Sequence, residues 1–121
     1  MRDRGTDVDM TAENRRTRRT EAPLLAAQYF LDAQRSRSSG VRAIVLFDGP
    51  DVLVSSADSN RERAYSVAWA WDAISGATAL ERDVFVHPIE ILGRPMYLAT
   101  VDARLASVLE TERALTRILS R

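Results

Sequence analysis

A chain of 121 residues, 45% of them apolar, is sized for one compact soluble domain. It contains no cysteine, which excludes disulfides, thiolate nucleophiles and cysteine-based zinc sites. Seventeen arginines balance seventeen acidic residues with no lysine at all, and such neutrality argues against a nucleic-acid binder, which relies on surplus cationic contacts.

Residues 1–20, MRDRGTDVDMTAENRRTRRT, carry almost nothing to bury and read as a disordered tail ahead of a single domain over 21–121. Met10 is an alternative initiator. Within the tail, Arg15, Arg16, Arg18 and Arg19 form a candidate electrostatic contact for an acidic partner, although Asp3, Asp7, Asp9 and Glu13 dilute it and a solvated leader is the plainer explanation. No apolar run reaches signal-peptide or membrane-spanning length, so a cytoplasmic protein without an integral membrane segment is expected.

A helix is predicted from Glu21 to about Ser36, with Thr20 as N-cap, Pro23 in the first turn, and Leu24, Ala27 and Leu31 on one face. VRAIVLF, from Val41 to Phe47, is apolar on both faces and reads as a strand inside a covered sheet. Asp48-Gly49-Pro50-Asp51 then connects it to an antiparallel return, Val52 to Ser56.

The central helix is predicted from about Asn60 to Ser75, with Ala64, Val67, Ala68, Trp71 and Ile74 as the stripe that packs on the sheet. Tyr65 and Trp69 are i,i+4 neighbours off that stripe. They need cover from elsewhere, either from another molecule or from the first helix of the same chain, and the intermolecular reading is favoured. DVFVHPIEI (83–91) and RPMYLATV (94–101) flank Leu92-Gly93 as a second hairpin, with Pro88 and Pro95 suited to an edge, a bulge or a strand start. A last helix is predicted from Asp102, as N-cap, to about Leu119, with Leu105, Val108, Leu109, Leu115 and Leu119 on one face. The expected architecture is α/β, a small and mostly antiparallel sheet flanked by helices in the order α-β-β-α-β-β-α.

Catalytic chemistry finds little support. His87 is the only histidine, Glu90 is the one acid near it in its strand, and no nucleophile accompanies them. Asp48, Asp51 and Asp58 have hard-cation ligand chemistry but no EF-hand spacing and no glycine-rich phosphate loop, so turn and strand-end roles explain them. No metal, cofactor or catalytic activity is expected.

Several stretches together resemble the Roadblock/LC7 family, a small α/β fold related to the longin and profilin-like scaffolds. They are the leading helix with Leu24 and Leu31, Gly40-Val41 opening VRAIVLF, Asp48-Gly49 before VLVSS, the alanine-rich AYSVAWAW, and HPIEILGRPMYLATV. The likeness spans about residues 24–119. It implies a non-catalytic protein that homodimerises through the central helix and an adjoining sheet edge. It also implies an adaptor or scaffold for a small Ras-like GTPase or its Roadblock-type regulator, as in bacterial polarity and motility modules. Carried onto this chain, the central helix maps to residues 61–75 and places Tyr65, Trp69, Asp72 and Ala73 at the protein interface. Two departures stand out. The family turn commonly reads Asp-x-Asp-Gly, and the family usually has three strands after the central helix, where only Gly76 to Arg82 precedes the late hairpin here. The alternative reading, from a different class, is a small-molecule sensor of the profilin or PAS-like kind, with Ala68, Ala70 and Ala73 lining its pocket.

Overall fold

The computed structural model describes residues 22–77 and 81–120. The tail, including the Arg15–Arg19 cluster and Thr20, lies outside the described residues. Helix α1 spans 22–37 and is followed by β1 (Ala43–Asp48), β2 (Asp51–Ser56), α2 (Asn60–Ile74), β3 (Val84–Ile91), β4 (Arg94–Val101) and α3 (Val108–Leu119). This is the α/β architecture expected, and among the described residues it has four strands in the order β2-β1-β4-β3, every neighbour antiparallel, and three helices.

Strand alternation decides which helix covers which face. Ile44, Leu46, Val54, Ile89, Ile91, Met96 and Leu98 form one cluster with Ala27 and Leu31 of α1 and Leu115 of α3. The other face, with Val45, Phe47 and Ala99, packs against Ala70 of α2. The doubly apolar VRAIVLF is therefore a central strand buried on both sides, as its composition requires. A polar relay ties α1 to β2. The Ser56 hydroxyl donates to Asp32 and accepts from the Arg35 guanidinium, which also pairs with Asp58 at 2.6 Å.

The first hairpin is tighter than the four-residue connection expected, and the second turns at Leu92-Gly93 as expected. Asp48 pairs directly with Asp51, so only Gly49 and Pro50 form the first loop. Gly49 has φ +60°, and the combination of a positive φ with the fixed negative φ of proline is the sign pattern of a type II′ turn. The register of β1 with β2 shifts between Leu46 and Phe47, where Leu53 forms a bulge. In the second hairpin Ile91 pairs with Arg94, leaving Leu92 (φ +53°) and Gly93 (φ +77°), both left-handed as a type I′ turn requires. Leucine is a poor residue for that conformation, and this one is 59% exposed, so packing gives little in return. Leu92→Asn, which creates the favoured Asn-Gly pair, is expected to stabilise the fold by about 1 kcal/mol. A melting temperature raised by a few degrees checks it.

The last helix begins five residues later than expected, its N-cap at Ser107 rather than Asp102. Asp102 does not cap it. It takes φ +75° in the turn after β4, and its carboxylate is held by Arg82. Ser107 is the N-cap instead, its side chain accepting from the Glu110 N–H.

Candidate functional site

Helix α2 starts at Ser59, whose hydroxyl accepts from the Glu62 N–H at 3.1 Å. Glu62 stands at the position from which a capping box would reach back, but its carboxylate turns to Arg42 and forms a two-pronged pair at 2.6 and 3.1 Å. Arg82 grips Asp102 in the same way, and Arg42 lies 4.0 Å from that carboxylate. The guanidinium bonds hold both Glu62 and Asp102 below their ordinary carboxylate pKa. A depressed carboxylate pKa contributes stability above the unfolded value, and that contribution is lost only as pH falls through the lower, folded value.

Trp69 sits over this network. Its ring lies 5.6 Å from the Arg42 guanidinium and 5.7 Å from that of Arg82, and it stacks on Tyr65 at 5.8 Å. Its indole N–H donates to Glu81. It also packs against the Ala43, Ala57 and Val101 cluster beside Val84. Trp69 was expected to need cover from outside its own stripe, and much of that cover comes from its own sheet.

Trp71 behaves in the opposite way. The predicted core stripe is rotated by roughly a quarter turn, because the residues facing the sheet are Ser66, Val67, Ala70, Ala73 and Ile74. Ala64 and Ala68 are exposed, and Trp71 is 41% exposed although its ring leans on Phe47 at 6.1 Å. Val52 and Tyr97, the cross-strand neighbours of Phe47, are exposed on the same side of the sheet. Of the four residues expected at the interface, Tyr65 (48% exposed) and Asp72 face outward, Ala73 turns towards the sheet and Trp69 is half-buried. The outward face of α2 is thus built from Arg61, Ala64, Tyr65, Ala68, Trp71 and Asp72. The signal missed in the sequence is Ser66, a small polar residue on the buried side of a helix with apolar residues on both sides.

The aspartates singled out for cation chemistry do not converge. Asp48 pairs with Arg94 at 2.8 Å, joining the two hairpin tips, while Asp58 is held by Arg35. Among the described residues no group of three or more His, Asp or Glu side chains is placed to hold a metal ion, and no helix is long and apolar enough to cross a membrane. His87 lies on the α1–α3 side of the sheet with its Nε2 buried and, among the described residues, unpartnered. Burial, and then the nearby Arg104 charge, lower its pKa. A histidine held neutral in this way binds fewer protons folded than unfolded, so stability is expected to fall as pH drops through about 6.5. His87→Gln should flatten the slope of stability between about pH 7 and 5, which denaturant melts across that range would read.

Comparison with known proteins adds one structural likeness. No family model and no curated protein matches the chain. Among solved structures it is similar to Myxococcus xanthus MglB, with a TM-score of 0.48 and 9% identity over 80% of this chain and 90% of that one.

Proposed function

We propose that the chain is a non-catalytic adaptor of the Roadblock/LC7 type. It homodimerises through α2 and binds a small Ras-like GTPase or that GTPase's Roadblock-type regulator. The observation supporting this reading is the outward face of α2, which leaves two aromatic rings and two alanines in water on a helix whose other side already covers a sheet.

That face is self-complementary under antiparallel two-fold packing centred on Ala68. Ala64 and Ala68 permit close approach of the two helices, Tyr65 falls opposite the partner's Trp71, and Arg61 lies within a turn of the partner's Asp72. Trp69 and its guanidinium neighbours then flank the contact and hold Tyr65 in place from within the protomer. A ligand sensor would instead need space lined by polar groups beneath α2. That volume is filled by Val45, Phe47, Ala70 and Ala99.

Sedimentation of the full chain from about 1 to 100 µM is expected to show a dimer, a range chosen for dissociation constants near the micromolar. A monomer throughout would overturn the dimeric reading. Capture with purified small Ras-like GTPases, loaded with GDP or a GTP analogue, and with Roadblock-type regulators tests the partner. Failure of all of them would overturn that half of the proposal.

A further inference from the structure

Helices α1 and α3 share one face of the sheet, and between them runs a cleft of about 370 Å³. Phe30 and Gln34 line it from α1, with Glu110, Arg113, Ala114 and Arg117 from α3. The spacing explains the convergence: Phe30 and Gln34 are one turn apart, and the α3 residues recur at three and four positions along one side. Phe30 packs on the core and Ala114 is buried, so the floor is apolar and low. Glu110, Arg113 and Arg117 stand exposed at the rim.

Like Arg37, Arg61, Arg63 and Arg104, and unlike four other arginines, the rim arginines are not drawn into an ion pair among the described residues. Arg35, Arg42, Arg82 and Arg94 are each committed to a carboxylate on another segment. Among the described residues Arg113 and Arg117 have no such partner within 4.0 Å. Arg113 and Arg117 are one turn apart, their backbone positions about 6 Å apart along the helix axis. Each guanidinium fork matches a carboxylate, and the Gln34 amide can donate as well as accept beside them. The volume is at the small end for a ligand pocket, and with its charged wall in water the cleft would leave a small molecule largely uncovered. A third helix laid in the groove overcomes this by keeping its own outer face in solvent.

We infer that this cleft binds an acidic helical segment of a partner protein, one with two carboxylates four residues apart and an apolar side chain beside them on the same face. The carboxylates meet Arg113 and Arg117, and the apolar side chain lies over Phe30 and Ala114. Glu110 repels a third carboxylate at the far end, which fixes the register. The site is on the opposite side of the sheet from α2, so it stands independently of the dimer reading.

The test is a titration of the isotope-labelled full chain with a helix-favouring synthetic peptide carrying glutamates at i and i+4 and leucine at i+3. A control peptide has lysine in place of both glutamates. Amide shifts are expected at Gln34, Arg113, Ala114 and Arg117, with affinity falling as salt is raised. The double variant Arg113→Glu/Arg117→Glu should weaken glutamate-peptide binding at least about tenfold and should gain binding of the lysine peptide. Both positions are exposed, so the variant should keep the melting behaviour and assembly state of the parent, and Arg113→Gln/Arg117→Gln provides a milder second variant. Binding that survives in both variants, shifts confined to α2, or no shift at about 1 mM peptide would overturn the inference. So would arginine-dependent binding to vesicles of anionic lipid in the absence of peptide binding, which would make the cleft a membrane contact.

Discussion

Phe47→Ala is expected to cost about 3–5 kcal/mol of folding stability, lowering the melting temperature by more than about 10 °C. The side chain is 1% exposed and lies where three packing directions meet. Its cross-strand neighbours are Val52 and Tyr97, its cluster partners are Val45, Ala70 and Ala99, and the Trp71 ring leans on it from α2. Helix α2 cannot easily sink to fill the gap, because the Ser59 cap and the Arg42–Glu62 pair fix its start. Phe47→Leu should cost markedly less, since most of the volume remains. Denaturant unfolding of both variants checks this, and a loss below about 1 kcal/mol for the alanine variant would show that α2 is not docked firmly on the sheet.

The second large effect separates the two tryptophans. Trp71→Ala is expected to weaken the proposed α2-to-α2 dimer by about 2 kcal/mol or more, roughly a thirtyfold rise in its dissociation constant, because it removes an aromatic ring from the outward face. Trp69→Ala should act mainly on folding, since it strips a contact from Ala43, Ala57 and Val101 and leaves the Arg42 and Arg82 guanidinium groups without their ring. Sedimentation across a concentration series, paired with melts at low concentration, distinguishes the two outcomes. A Trp71→Ala chain that assembles like the parent would remove α2 from the interface.

Elements were easier to read in the sequence than faces. Both hairpins follow from strand-forming runs broken at Gly49-Pro50 and Leu92-Gly93, and β4 lies where RPMYLATV was placed. The strand order could not be read, because it depends on β1 and β4 meeting across a long connection. The start of α3 is legible in the sequence at Ser107. Asp102 is a good capping type in isolation, but it is taken by Arg82, while Ser107 with Glu110 three residues on carries the capping signature. The face of α2 was ambiguous for a physical reason. Alanines and tryptophans occur on both of its sides, so apolar periodicity alone cannot say which one meets the sheet. Of the expected interface, Tyr65 and Asp72 have the exposure such a contact needs, and the site's charged frame of Arg42, Glu62, Arg82 and Asp102 was not anticipated, because its members come from four separate segments.

Pro88 and the bulge at Leu53 govern how this chain behaves when crowded. β3 and β2 are the two rims of the sheet, and an open rim invites strands from other molecules to add on and propagate into fibrils. On β3 the ring of Pro88 replaces an N–H in the middle of the strand, dividing the rim into the short runs 84–87 and 89–91. On β2 the extra residue twists the strand and breaks the regular spacing that an added strand would have to match. Neither rim offers an uninterrupted template. Growth of the sheet by addition of strands from other molecules should therefore be disfavoured even in concentrated solution.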